Sequence, residues 1–172
     1  MHVTTSQEAG QLCDSIPSSV VLLCGLQASG KTSFYHQVLR GRYLHVSMDH
    51  YTTSRRRKQA LAALETALEG GSEVCVDNTH PTIEERAEVI RRAQAHGQQV
   101  VAFFFESKVD LCRDRNQKRD DSSQVPLVAI YSTIKKLVPP TLNEGFVQVF
   151  SVRLLEAGFE VMKEDRIESE RP

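Results

Sequence analysis

The chain has 172 residues, 40% of them apolar and 25% charged, with a formal net charge of −1. Those proportions suit one ordinary α/β domain, expected to span residues 1–172, and exclude a disordered chain or a protein that grips nucleic acid by bulk positive charge. The longest apolar runs, 20–24 and 100–105, are far shorter than the ~20 residues a membrane helix needs, and the N-terminal stretch lacks the basic start and apolar run of a secretory signal, so an intracellular protein without membrane contact is expected.

In chain order, short apolar runs alternate with helical patterns, as in βαβ units around a parallel sheet. Val20–Cys24 reads as the first strand, followed by a glycine-bearing turn and a helix from about Lys31 to Leu39. Tyr43–Met48 reads as the second strand. Arg56–Leu68 carries Leu61, Leu64 and Leu68 at helical spacing and stops at Gly70-Gly71 before a third strand, Glu73–Val76. Thr82 and Glu85 form a capping box for a helix to about His96, and Gly97 ends it before the strand Gln99–Phe105. A charged helix over Asp110–Arg119, a loop through Val125-Pro126, a helix Leu127–Leu137 and a last strand Phe146–Val152 follow, with a core at about 18–155 and a polar tail at 164–172. Cys13, Cys24, Cys75 and Cys112 are too far apart for a zinc knuckle or a redox pair and read as reduced, mostly buried residues.

Gly25-Leu26-Gln27-Ala28-Ser29-Gly30-Lys31-Thr32 matches the Walker A pattern in its required place between a strand and a helix. Backbone amides of Gly25 to Ser33 would wrap the phosphates, Lys31 would set a cation at the β/γ-phosphates, and Thr32 would ligate Mg²⁺. Guanine recognition is disfavoured, because the nearest match to its motif is the degenerate Ser107-Lys108-Val109-Asp110, and ATP is expected. Asp77 is followed by Asn78 and not by the glutamate that activates water in motor ATPases, which favours phosphoryl transfer over hydrolysis. Asp49, at the C-terminal edge of the second strand, suits either a general base or a helix N-cap. Asp77, ending the third, suits either the metal site or an Asx turn with Asn78 and Thr79. Arg113, Arg115 and Arg119 lie where a lid would close, and Arg115 with Arg119, one turn apart, are the pair chosen to offset charge on the transferred group.

The phosphate loop, Asp49, the segment Asp77-Asn78-Thr79-His80-Pro81 ahead of Glu85-Arg86, and Arg115-Asn116 with Arg119 ahead of Val125-Pro126 occur in one order. In this the chain resembles the kinase domains of the 5′-hydroxyl polynucleotide kinase family over roughly Val20 to Val149. The resemblance implies a P-loop kinase-type three-layer sandwich with a central parallel sheet of order 2-3-1-4-5 and a helical lid. It further implies transfer of the ATP γ-phosphate to a nucleic acid 5′-OH, with Asp49 as base and Lys31, Arg115 and Arg119 as electrophilic stabilisers. Thr32 and Asp77 would hold Mg²⁺, and Asp49, Asp77, Arg55 and Arg86 would meet the acceptor. Phage-type members carry an arginine where this chain has Thr52; Arg55, Arg56, Arg57 and Lys58, just beyond, offer substitute phosphate contacts. Neither a phosphatase Asp-x-Asp-x-Thr motif nor a ligase lysine motif is visible, so a kinase module alone is expected. A kinase of a small metabolite or of aminoacyl-tRNA, and a nucleotide-dependent switch without an acceptor, are the competing readings.

Overall fold

Runs of apolar residues without alternation form the strands at the centre of the molecule, because helices cover both faces of the sheet. The computed structural model describes residues 2–3, 8, 11–12, 15–16, 19–106, 108–120 and 123–164; Cys13, Ser107 and the tail beyond Glu164 lie outside them. The strands are β1 (His2–Val3), β2 (Ser19–Gly25), β3 (Leu44–Val46), β4 (Val74–Asp77), β5 (Gln99–Phe105), β6 (Gln148–Leu155) and β7 (Gly158–Lys163). The helices are α1 (Lys31–Phe34, continued by a π turn over Tyr35–Leu39), α2 (Arg56–Glu69), α3 (Ile83–Ala95), α4 (Val109–Gln117) and α5 (Leu127–Lys136).

The strands form one sheet of order β1-β7-β6-β5-β2-β4-β3. From β3 to β6 all pairings are parallel. Read from that edge and counted from β2, they run 2-3-1-4-5, the expected α/β arrangement. The expectation lacked the antiparallel extension, in which β7 folds back on β6 and β1 pairs with β7. The sheet therefore continues past residue 155: Phe159 and Val161 on β7 are fully buried.

Successive side chains of β2 enter opposite cores. Val21 and Leu23 pack with Phe34, Leu39, Phe103 and Phe159 on the α1 side, while Val20, Leu22 and Cys24 pack with Leu64, Val89 and Ile90 beneath α2 and α3. Phe34 anchors the first layer through ring contacts to Phe103, Phe105 and Phe159 at 5.0–5.5 Å, and burial of one such side chain contributes about 1.5–3 kcal/mol. Helix α2 buries Ala60, Leu64, Ala67 and Leu68 along one stripe and ends where Gly71 turns left-handed at φ 72° and its N–H reaches the Leu68 carbonyl. The Thr82 hydroxyl caps α3 by accepting from the Glu85 N–H at 3.3 Å. Cys24, Cys75 and Cys112 are buried and in no disulfide. No helix among the described residues is long and apolar enough to cross a membrane.

Candidate active site

The parallel strands all present their C-terminal ends to one crevice, which is where an open α/β sheet places a site. The loop between β2 and α1 needs its glycines. Gly25 has φ 142°, and a Cβ there would stand 2.9 Å from the Phe105 backbone oxygen; at Gly30, φ 102°, it would meet Leu154 at 3.0 Å. Lys31 is buried, its Nζ donating to the carbonyls of Gly25 and Leu26 at 3.0 and 2.5 Å. Burial pulls its pKa down to about 8 against the attraction of Asp77.

Thr32 and Asp77, chosen from sequence as metal ligands, meet directly: the Thr32 hydroxyl donates to Asp77 Oδ2 at 2.7 Å. His45 Nε2 donates to the same oxygen at 3.0 Å. Burial pushes the Asp77 carboxyl up, but the His45 hydrogen bond, the Lys31 charge and Thr32 together outweigh it, and the carboxylate is held below its ordinary range. Both bonds fall on Oδ2 and tie the Asp77 carboxylate to α1 and β3. Direct acceptor contact is disfavoured: the residue is only 4% exposed.

Asp49 does not end a strand. β3 stops at Val46 because Ser47 caps a 3₁₀ turn over Met48–His50, its hydroxyl accepting from the Asp49 N–H at 3.2 Å. Ser47, not Asp49, is thus the cap, and the Asp49 carboxylate is exposed with no hydrogen-bond or ion-pair partner among the described residues. The turn is held to β4 by a bond that sequence reasoning missed, from the Met48 N–H to Asn78 Oδ1 at 2.9 Å.

The segment from Asp77 to Pro81 brackets the site. The Gly25 N–H donates to the Thr79 carbonyl at 3.0 Å, His80 Nδ1 donates to the Leu23 carbonyl at 2.9 Å, and the Pro81 carbonyl accepts from Val138 at 2.9 Å. Arg86 corrects an expectation. Its fully buried guanidinium forks onto both Glu144 oxygens at 2.6 and 2.9 Å and also donates to the carbonyls of His80 and Val138. Each nitrogen has a partner inside the protein and the side chain is fully buried, so the guanidinium is not presented to an acceptor. The signal for this was Thr141-x-x-Glu144, a capping box whose glutamate does both jobs.

On the lid side, Arg113 is drawn to Asp110 and Asp114 of its own helix at 3.4 and 3.6 Å. Arg115 is half-buried and Arg119 exposed, and neither has an ion-pair partner among the described residues. Arg119 stands near enough to lower the Lys31 pKa. Buried Asn116 closes the intervening loop by exchanging two hydrogen bonds with the Val125 backbone at 2.8 and 2.9 Å. Across the crevice, Gln27 Nε2 donates to Thr133 Oγ1 of α5 at 2.9 Å, while Gln27 Oε1 is buried without a partner. A cleft of about 290 Å³ opens between α2, α3 and α5, lined in part by Met48, Asn78, Thr79, Thr133 and Lys136. Arg55 and Arg56 are exposed at the start of α2, whereas Arg57 is paired with Glu88 at 2.7 Å.

A family model described as an AAA domain matches residues 20–140. A bifunctional polynucleotide phosphatase/kinase of Schizosaccharomyces pombe is 33% identical over 137 residues, which cover 77% of this chain and 33% of that protein. A putative bifunctional polynucleotide phosphatase/kinase of Acanthamoeba polyphaga mimivirus is 28% identical over 140 residues, covering 77% and 32%. The chain therefore spans about a third of the length of these curated relatives. Among solved structures, a sugar kinase from Janibacter sp. superposes with a TM-score of 0.59 at 17% identity over 78% of this chain and 86% of that one, a likeness of fold. The chain belongs to the AAA-domain family of P-loop proteins, and the resemblance to polynucleotide kinases drawn from its motif order holds.

Proposed function

We propose that this chain is an ATP-dependent polynucleotide 5′-hydroxyl kinase acting inside the cell. The observation that carries the reading is the exposed, unpartnered Asp49 carboxylate, held through Met48 and Asn78 to the residue next to Asp77, which itself bonds Thr32. The turn that carries this carboxylate is thus linked to the phosphate loop by one short chain of contacts, which supports Asp49 as the base. The phosphate loop and Lys31 bind the triphosphate. Asp49 accepts the proton of the acceptor hydroxyl as its oxygen bonds to the γ-phosphorus and the bond to the β-phosphate oxygen breaks, releasing ADP. Arg115 and Arg119 offset the charge on the phosphoryl group in flight.

The Thr32 hydroxyl and the Asp77 carboxylate are hard oxygen donors already in contact, a set that fits Mg²⁺. When bound, Mg²⁺ neutralises charge on the phosphate oxygens. His45 keeps the Asp77 carboxylate oriented and ionised from behind. The cleft beside Asn78 and Lys136 supports an acceptor of nucleotide size or larger. The test is transfer of labelled γ-phosphate from ATP to a single-stranded 5′-OH oligonucleotide by the wild type, Asp49→Ala and Lys31→Ala. Both substitutions should lower kcat at least about 100-fold, with ATP affinity retained by Asp49→Ala. If the wild type binds ATP but labels no DNA or RNA end, the polynucleotide reading fails and a small-molecule acceptor takes its place.

A further inference from the structure

An unbroken run of aromatic rings lies beside the phosphate site, and the mechanism above uses only one atom of it. Tyr35 lies parallel to His45 with centroids 4.0 Å apart and 12° between planes, and its hydroxyl is fixed to the Tyr43 carbonyl at 3.1 Å. On one side His36 meets His45 at 6.0 Å. On the other, His50 stands edge-on to His45 at 4.8 Å and 75°, and Tyr51 follows at 6.5 Å. The inner rings are rigid, Tyr35 being buried and His45 tied to Asp77. The outer ones open to solvent: His36 and His50 are exposed and Tyr51 is half-exposed.

Core packing takes up one side of Tyr51, which lies against the layer beneath α2 and α3, but does not account for the exposed rings of His36 and His50. A metal site does not account for them either. Among the described residues no group of three or more His, Cys, Asp or Glu is arranged to hold an ion, and His45 Nε2 is already engaged with Asp77. His50 directly follows Asp49 and is exposed like it, so this ring belongs to the same turn as the carboxylate proposed to take the acceptor hydroxyl. Just beyond Tyr51 stand the exposed cations Arg55 and Arg56. Exposed rings with exposed cations a few residues further along the chain are the elements with which proteins hold single strands, rings for the base faces and cations for the backbone.

We propose that His50 and Tyr51, backed by His45 and Tyr35, are a stacking platform for the first bases of a single-stranded acceptor, with Arg55 and Arg56 on its phosphates. The proposal rests on the polynucleotide kinase reading and names the form of its substrate: an unpaired 5′ end, whose bases are free to stack on protein.

The experiment measures KM for a single-stranded 5′-OH oligonucleotide and for the same strand with its first two nucleotides abasic, using the wild type, His50→Ala and His50→Phe. The abasic strand should raise the wild-type KM about 10-fold. His50→Ala should raise KM for the intact strand by a similar factor and lose most of the difference between the strands, His50→Phe should restore both, and the KM for ATP should stay unchanged. If the wild type labels both strands with one KM, or His50→Ala keeps the full difference, the platform is overturned while the kinase reading stands. If the wild type labels neither strand, the kinase reading falls and the platform falls with it.

Discussion

The phosphate loop and the acceptor rim lie at the same end of one sheet and are built in opposite ways. Around the loop, Lys31, Asp77 and His80 are buried, and each has hydrogen-bond partners before any ligand arrives. Along the rim, Asp49, His50, Arg55, Arg56 and Arg119 are exposed. The difference suits the two tasks. Binding the compact, highly charged triphosphate gains from groups that are already desolvated and fixed, so little reorganisation is left for the reaction. A chain-like acceptor of the kind proposed would have to enter and leave, and a rim that the substrate itself orders would permit that. The bracket from Asp77 to Pro81 joins the two regions, one residue facing each partner, and it is where the comparison is most open to test.

The largest effect is expected behind the bracket. Arg86→Ala would strand the Glu144 carboxylate in the interior and release the His80 and Val138 carbonyls, a loss of about 3–5 kcal/mol and roughly 10 °C or more in melting temperature. Denaturant unfolding would check it. A loss below about 1 kcal/mol, together with weaker acceptor binding, would return Arg86 to the acceptor role expected from sequence.

Acid should reveal the next effect. Burial lowers the His80 pKa from 6.5 to about 4, so the native state holds the ring neutral while the unfolded chain protonates it. Its contribution is therefore complete above about pH 6.5 and is lost as pH falls towards 4, a total of roughly 3 kcal/mol. Stability measured between those limits should fall more steeply in the wild type than in His80→Gln. Equal slopes would mean that the bracket is not sealed from protons.

The smallest effect sharpens the division between the two regions. Asn78→Ala removes the bond that steadies the turn bearing Asp49, and kcat should fall about 10-fold for about 1 kcal/mol of stability, with ATP affinity unchanged. An equal loss of ATP affinity, read by calorimetric titration, would show the loop and the rim to be one unit.

Local signals account for what was legible before the structure. The central strands β2, β4 and β5 are nearly continuous apolar runs because both their faces are buried, and Gly70-Gly71 and Gly97 end their helices as glycine stops do. β7 escaped notice because the hairpin joining it to β6 turns through Glu156-Ala157, without the Asn-Gly pair that marks such turns, and because Phe159 and Val161 become core only once β6 lies beside them. The nearness of Asp77 to Thr32 is legible because the loop motif fixes Thr32, whereas the pairing of Arg86 is not, because its partner Glu144 lies 58 positions away.

What the amino-acid order determined alone is whatever depends on neighbours within a few residues: periodicity, caps, glycine stops and the phosphate loop, where backbone conformation and charge are set by consecutive side chains. What only the tertiary structure decided is which charges remain available. Arg86, Arg113 and Arg119 look alike in sequence, yet one is locked onto Glu144, one is drawn to its own helix and one is left facing the phosphate loop. A guanidinium acts on a substrate only if nothing nearer satisfies it, and what lies nearer is set by packing between distant segments.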